Sequence, residues 1–600
     1  MAELSVLVGG KAGDGINQAG LLLSKLLGGL GYRTYLYFDY GSLIRGGHNF
    51  SIVRAAPHRI ATHRNSVDFL LALDQNSLDS HLPRLKRPAN VVFDSDVVRS
   101  EAAPAGAIGL PLRKILQEEG AKPVMRNSCL IGAFARCISI EWPTLEQLLR
   151  KHIEKAVDLN LKLASRGFEL SRAVMKLEAL AQAALPILTG NEASGMGLVA
   201  AGLRTYIAYP MTPSSSLLHF LADVADEFSL KVIHPENEIA VMLMALGFSY
   251  AGERVAVGTS GGGFCLMTEG LSLAGAAELP IVVFVGQRPS PSTGLPTYTA
   301  QSELQFVLSA GHGEFVRFVV APGDAEEAFY WSRVALDMTW KYQTPSIVLS
   351  DKTLSEGGFN FDLAEARPAK GPWDAGSFPG PLMWDGKGAY ARYRDTDAGA
   401  HAGSGPNEGE AAGSPDTAGS TAEGNASGPG EHPGSGAGVS PLAFPPARGA
   451  VIKVNSYEHD EYGITTEEAS ETKKMYEKRL RKGNYLAQEL ENYETVKVYG
   501  KKDSELAVLC WGSNKGVCAE VGDKLGLRVI QPVVLSPFPT RQFEAALDGV
   551  KKLVSVENNA TGQIANLVKL HGFGVESRIS KYDGRPFSYE ELKAELERIL

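Results

Sequence analysis

Tyr206-Ile207-Ala208-Tyr209-Pro210-Met211-Thr212-Pro213-Ser214-Ser215 runs from an apolar stretch into a turn that two prolines keep out of a helix. Each proline lacks an N–H and biases the residue before it toward extended backbone. The stretch therefore predicts a strand ending at Tyr209 and a rigid polar turn carrying Thr212. Ser214 to Ser216 stand where they would cap the helix that Leu217, Leu218, Phe220, Leu221 and Val224 mark by their spacing. Further on, Pro235-Glu236-Asn237-Glu238 leads an apolar run from Ile239 to Gly247. Glu238 thus opens a helix that must be buried, and carboxylates are rarely buried unpaired. Two readings of it stand: a capping acid, stabilised by the helix dipole by about 0.3–1 kcal/mol, or an acid kept for a ligand while Glu236 or Asn237 caps. The proline turn likewise reads either as an ordinary strand-turn-helix connection or as the mouth of a site.

Outward from that stretch the alternation of strand and helix repeats. Val255 to Val257 leads into Gly258-Thr259-Ser260-Gly261-Gly262-Gly263, a helix is predicted over Phe264 to Ala274, and the strand Ile281 to Val285 is followed by Gly286-Gln287-Arg288-Pro289. Ser346 to Leu349 reads as the last strand. In open α/β sheets ligands sit at the carboxyl ends of the strands. Thr212, Ser260 and Arg288 each follow such an end and are candidates for one shared site.

A chain of 600 residues exceeds what a single core supports, and about three or four domains are expected. Toward the N-terminus, Leu4 to Val8 ends in the glycine-rich Gly9 to Gly15, then a helical pattern covers Ile16 to Leu30 and a strand Thr34 to Phe38. With further strands at Ser51 to Val53, Phe69 to Leu73 and Val91 to Phe93, this part reads as α/β with a mostly parallel sheet. His48 reads as a surface-loop residue. Leu145 to about Leu185 has a helical pattern whose early part suits packing on a neighbouring subunit. Asp395 to Gly449 is low in complexity, a composition that buries too little apolar surface to order itself. A charged helix is predicted from about Glu467 to Glu494, after Glu458-His459-Asp460-Glu461, which reads as a solvated turn. The last strands are placed at Leu506 to Leu509, Val529 to Val534 and Leu553 to Val556.

The 68 acidic and 59 basic residues leave a net charge of −9 without a long Lys/Arg cluster, which argues against a nucleic-acid surface. No apolar run approaches the ~20 residues that span a bilayer. Met1-Ala2-Glu3-Leu4-Ser5 lacks the basic start of a signal peptide. A cytoplasmic protein without membrane contact is expected. Cys129, Cys137, Cys265, Cys510 and Cys518 include no C-x-x-C spacing, so neither a disulfide framework nor an iron–sulfur or zinc signature is present.

Tyr209-Pro210-Met211-Thr212-Pro213-Ser214-Ser215, Glu238 ahead of its apolar run, and Gln287-Arg288 after a strand together resemble the pyrimidine-binding part of 2-oxoacid:ferredoxin oxidoreductases. The first 185 residues, with Tyr40-Gly41-Ser42 and Arg45-Gly46-Gly47, are similar to the gamma subunit of that family. Glu557-Asn558-Asn559 with Gln563, and the loop from Lys581 to Phe587, resemble the end of its alpha subunit. The resemblance implies a multidomain α/β chain. A gamma-type α/β domain covers 1–185 and a thiamine-diphosphate pyrimidine-binding α/β domain 186–360. A low-complexity linker or insertion at 361–450 and a connecting helical segment at 451–500 precede a transketolase C-terminal-like α/β domain over 501–600.

The function implied is that of a fused gamma–alpha subunit. With a separate beta subunit it would convert a 2-oxoacid, 2-oxoglutarate favoured, and coenzyme A to an acyl-CoA, passing electrons to ferredoxin. Glu238 is implied to hydrogen-bond the pyrimidine N1′ of thiamine diphosphate, with Ser260 nearby. Thr212 and Arg288 are implied to hold the substrate carboxylate, joined by Tyr209 and Ser214; a hydroxyl and a planar guanidinium fork suit that task. Gly13-Asp14-Gly15 has no Asn-Asn pair at the distance a magnesium-diphosphate motif needs, so Mg2+ and a 4Fe–4S cluster are expected on the beta subunit. A dimer of gamma–alpha/beta units follows from the same resemblance. The alternatives are another thiamine enzyme, such as a transketolase-like or oxoacid dehydrogenase component, and a non-catalytic nucleotide-binding scaffold suggested by the glycine-rich first turn.

Overall fold

The structure, a computed structural model, describes residues 3–42, 47–374, 380–395 and 436–600. Its first strands are β1 (Leu4–Lys11), β2 (Arg33–Asp39), β3 (His48–Ala56), β4 (Val67–Ala72), β5 (Leu85–Asp94), β6 (Ile108–Leu110) and β7 (Ile187–Thr189). The middle of the chain adds β8 (Thr205–Ala208), β9 (Lys231–Ile233), β10 (Val255–Ser260), β11 (Ile281–Gln287), β12 (Phe318–Val320), β13 (Pro345–Asp351) and β14 (Gly358–Asn360). The remainder contributes β15 (Val496–Gly500), β16 (Leu506–Leu509), β17 (Arg528–Pro532), β18 (Val534–Ser536), β19 (Lys552–Glu557) and β20 (Ser577–Ser580).

The first sheet has the order β6-β5-β4-β1-β3-β2-β14-β7. It is mixed, not mostly parallel as expected: β1 and β2 both run antiparallel to β3, which lies between them, and β14 is antiparallel to β2 and β7. An antiparallel neighbour needs only a short return loop, so β3 slots between the two strands that helix α1 (Ile16–Gly29) connects. Apolar patterning marks a strand but not its direction. Helices α2 (Arg126–Cys137), α3 (Trp142–His152) and α4 (Val157–Glu169) cover this sheet. A Cβ at Gly132 would lie 1.9 Å from the Ala164 carbonyl oxygen, and one at Gly167 the same distance from that of Cys129, so α2 and α4 meet backbone to backbone. Leu145 and Leu149 of α3 belong to this same core. The helical pattern also stops sooner than predicted. After Glu169 the chain lies along the domain through Val174, Leu177 and Leu180, whose amides donate to the carbonyls of Cys137, Ile138 and Leu30.

The second sheet, β18-β12-β13-β11-β10-β8-β9, is parallel except at the β12–β18 edge. β10 and β11 are buried along their whole length, as parallel strands covered on both faces must be. Helices α5 (Ser215–Asp223), α6 (Glu238–Tyr250) and α7 (Gly261–Ala276) connect its strands. The third sheet is β15-β17-β16-β19-β20. The sheets exchange strands: β7 and β14, flanking the second sheet in sequence, complete the first, and β18 from the C-terminal part edges the second. One apolar core continues from Val257 and Ile347 to Leu509, Trp511 and Ile530.

Helix α8 (Ala469–Leu490) locks the connecting segment to the second sheet through buried charge. Lys478 Nζ lies 2.7 Å from Glu278 Oε1, and Lys482 also pairs with that carboxylate. Burial alone would raise the Glu278 carboxyl, but Lys478, Lys482 and Arg392 outweigh it and hold it well below the usual carboxylate range. The turn expected to be solvated is instead packed under this helix. His459 is fully buried with its ring 3.9 Å from that of Tyr393, and Glu458 makes a two-pronged ion pair with Arg479. Arg481 contacts both the carboxylate of Asp395 and the carbonyl of Gly436; most of the low-complexity stretch, 396–435, lies outside the described residues. Removing one partner of a buried charge cluster strands the others, at a cost of about 3–5 kcal/mol. Glu278→Gln is accordingly expected to lower stability by about that amount, read from urea unfolding of the purified chain; a loss under about 1 kcal/mol would show that the two lysines find other partners.

Candidate active site

Strands β8, β10 and β11 run side by side and parallel, so their carboxyl ends open on one edge of the sheet. Thr212 follows β8, Ser260 ends β10, and Arg288 follows β11. Arg288 Nη1 donates to the backbone carbonyl of Thr212 at 2.8 Å, which joins two of the candidate residues directly. Burial pulls the half-buried Arg288 below its usual pKa, yet a guanidinium starts so far above neutrality that it stays charged.

Ser214 does not cap α5. Its backbone is already helical, with φ −77° and ψ −12°, and its Oγ donates back to the Met211 carbonyl at 2.7 Å; a capping side chain needs extended backbone to reach the first free amides. Asn191 steadies the turn instead, donating to the Pro213 carbonyl at 2.8 Å and to Ser216 Oγ at 2.6 Å. Ser214 is buried with its hydroxyl proton committed, whereas Tyr209 stands exposed at the rim, its ring edge-on to His234 at 5.9 Å.

The two readings of Glu238 separate here. Asn237, extended at φ −161° and ψ 172°, is the cap, accepting from the Ala240 amide at 2.9 Å. Glu238 is the next residue, only 4% exposed, and its Oε1 has no hydrogen-bond partner among the described residues. The carboxylate lies against the first turn of α7. A Cβ at Gly263 would sit 2.4 Å from Glu238 Oε1 and 2.1 Å from Thr259 Oγ1, so glycine is required there to admit the acid. Ser260 Oγ, also buried, has no partner among the described residues. A buried carboxylate oxygen and a buried hydroxyl, both unbonded at converging strand ends, constitute a polar binding position that this chain leaves unsatisfied.

A second buried acid was not legible in the sequence. The Glu303 carboxylate packs over Gly261, where a Cβ would come within 2.6 Å of its Cδ. Glu303 and its neighbour Gln301 sit in a polar run, Thr299 to Glu303, whose only local signal is the apolar helix that follows.

Other sequence candidates fall elsewhere. His48 is not a loop residue but begins β3, with its Nε2 2.7 Å from that of His81. Asp14 of the glycine-rich turn is held by Arg126 and by the Lys11 amide. Tyr40 donates to Glu356 and lines a cavity of about 490 Å³ with Ser215, Ser216 and His219. Arg45 and Gly46 lie outside the described residues. Among the described residues, no three His, Cys, Asp or Glu side chains converge as a metal site.

Two family models match this chain. Residues 196–359, which contain Thr212, Glu238, Ser260 and Arg288, match "Pyruvate flavodoxin/ferredoxin oxidoreductase, thiamine diP-bdg", and residues 5–170 match "Pyruvate ferredoxin/flavodoxin oxidoreductase". The chain belongs to the 2-oxoacid:ferredoxin oxidoreductases. It is similar over its whole length to 2-oxoacid:ferredoxin oxidoreductase 2, subunit alpha, of Aeropyrum pernix, at 28% identity over 100% of this chain and 98% of that one. A shorter region is 36% identical to the 2-oxoglutarate synthase subunit KorA of Archaeoglobus fulgidus, covering 28% of this chain and 49% of the relative. In fold, the chain matches a 2-oxoglutarate:ferredoxin oxidoreductase from Magnetococcus marinus with a TM-score of 0.82 at 24% identity, over 100% of this chain and 99% of that one. The naming of these relatives as alpha subunits implies an assembly of more than one chain.

The glycine run makes the site's packing testable. Nothing lies within 4 Å of a Cβ at Gly262, while Gly263 has no such room. Gly262→Ala is expected to keep or slightly raise stability, whereas Gly263→Ala should lower it by about 1–3 kcal/mol as Glu238 is displaced. Thermal unfolding of the two variants side by side decides this, and equal melting temperatures would contradict the contact.

Proposed function

We propose that this chain is the fused gamma–alpha subunit of an oxidoreductase that decarboxylates a 2-oxoacid, with 2-oxoglutarate favoured, to an acyl-CoA while passing electrons to ferredoxin. The observation that carries the reading is the unbonded, buried Glu238 Oε1, freed from capping by Asn237, within the residues matched to a thiamine diphosphate-binding model. The similarity to a relative named 2-oxoglutarate synthase supports the choice of oxoacid.

The residues present fit thiamine diphosphate. Glu238 would hold the aminopyrimidine by its ring nitrogen, with Ser260 beside it and Gly263 leaving the space. When bound, that cofactor supplies a nucleophilic carbon and a sink for the electrons left as carbon dioxide departs. A hydrogen bond between the Glu238 carboxyl and that ring nitrogen needs one proton held between two acceptors, and a charge-assisted bond of this kind is stronger than a neutral one. Arg288 spends one N–H on the Thr212 carbonyl and has others to offer; with the Thr212 hydroxyl it would bind and orient the substrate carboxylate. Tyr209 stands at the entrance, and Ser214 holds the turn's shape.

Magnesium, the diphosphate and the 4Fe–4S cluster are assigned to a separate beta subunit, coenzyme A enters as co-substrate, and a dimer of gamma–alpha/beta units is the proposed assembly. Ile239 and Leu243 of α6 and Leu266 of α7 are 48%, 49% and 48% exposed. This apolar face lies beside the two helix starts that hold the site, which supports a partner covering it.

Co-purified with its beta subunit, the chain should reduce a low-potential dye only when an oxoacid and coenzyme A are both present, fastest with 2-oxoglutarate in a panel of oxoacids. A requirement for lipoamide would place it with other thiamine enzymes. Glu238→Gln should lower kcat by about 10²–10⁴-fold without lowering the melting temperature; unimpaired turnover would leave a scaffold role.

A further inference from the structure

Segment 288–303 leaves the carboxyl end of β11 with Arg288 and returns to it with Glu303. Gln287 closes the neck: its Oε1 accepts from the Glu303 amide at 3.0 Å, and its Nε2 donates to the Ser350 carbonyl at 3.0 Å. Above it, Ser290 Oγ donates to Glu303 Oε1 at 2.8 Å, and Ser302 Oγ lies 3.2 Å from the same oxygen. Glu303, 8% exposed, therefore staples both ends of the loop that carries Arg288.

Gln301 fixes the neck to the C-terminal sheet. It is fully buried, and Nε2 donates to the Trp511 carbonyl at 2.7 Å. Oε1 accepts from Asn514 Nδ2 at 2.7 Å and from the Asn558 amide at 3.0 Å. Its own amide donates to the Asn558 carbonyl at 2.8 Å, and its carbonyl accepts from Asn559 Nδ2 at 3.0 Å. Every polar group of one residue is thus satisfied by residues beyond 510, two positions before the staple. Nearer the loop's tip the Thr299 amide donates to the Gly584 carbonyl at 3.0 Å, and Arg585 lies 3.9 Å over the ring of Tyr298. The Asn558-Asn559 pair, which resembles a family motif, serves here to grip Gln301.

A guanidinium recognises a carboxylate well only if held to within about 0.5 Å of the bonding geometry. If the loop had to be ordered by the substrate itself, that entropy would be subtracted from binding. Resting on the reading above that Arg288 takes the oxoacid carboxylate, we propose that Gln301 and Glu303 are positioning residues for Arg288, so that the C-terminal domain sets the affinity for the oxoacid without contacting it. None of the Gln301 hydrogen bonds reaches Glu238 or the α7 turn, on which affinity for the thiamine cofactor rests in this reading.

The test compares wild type with Gln301→Leu and with Ser290→Ala, the latter an exposed position that puts no burden on folding, all as complexes with the beta subunit. Each lost hydrogen bond is expected to raise the oxoacid KM by about two- to tenfold, more for Gln301→Leu than for Ser290→Ala. Both kcat and thiamine diphosphate affinity should stay within about twofold of wild type. In Gln301→Leu the Thr299 and Gln301–Ser302 amides should exchange with deuterium faster than in wild type. Faster exchange with an unchanged KM would overturn the proposal, as would unchanged exchange, or loss of cofactor affinity together with kcat, which marks general damage to the site. Absence of oxoacid-dependent turnover in the wild type would instead count against the function proposed above, and the exchange comparison still decides by itself whether Gln301 holds the loop.

Discussion

A carboxylate taken out of water with one oxygen unbonded is the constraint around which the middle of this protein is arranged. Leaving a buried acceptor unsatisfied costs about 1–3 kcal/mol, and more when it is charged. Glu238 is nevertheless at the first position of α6 and against the first turn of α7, so two helix N-termini soften that cost, each by a few tenths of a kcal/mol to about 2. The neighbours accept restrictions on its behalf: Asn237 takes over the cap, and position 263 must be glycine. Such an arrangement makes sense when a ligand completes it, because the penalty is then returned as binding.

The parallel second sheet is what lets so few residues meet. Its strands deliver Thr212, Ser260 and Arg288 to one edge, and the α6 start brings Glu238 to the same place. The neighbouring sheets are not independent bodies attached to it. β7 and β14 are surrendered to the first sheet and β18 is received from the C-terminal part, so the three sheets are joined by backbone ladders as well as by packed side chains. A site resting on such a frame can transmit position from one sheet to another, as the path from Trp511 and Asn558 through Gln301 to the neck below Arg288 illustrates.

Much of the second sheet was legible because its signals are local. Paired prolines define the turn at Thr212, an apolar run after Glu238 defines a helix start, and glycines after a buried strand define α7. What escaped depends on partners distant in the chain. Gln301 bonds to residues more than 200 positions away, and nothing in a polar five-residue run foretells that. The direction of β3 escaped for a similar reason, since alternation specifies faces and not neighbours. Ser214 misled because a serine after a proline turn looks like a cap until its backbone proves already helical, and the residues after Glu169 misled because an apolar rhythm also suits a strap laid across a core. His48 and His459, read as surface residues, are held by an imidazole and an aromatic ring that only folding supplies.

Asp395 and Gly436 meet at Arg481. They are held by the same guanidinium on α8, so the distance between these two residues is set by the described fold. The contact among Arg481, Asp395 and Gly436 therefore answers to the charged cluster around Glu278 on the same helix and not to the number of residues that separate them in sequence.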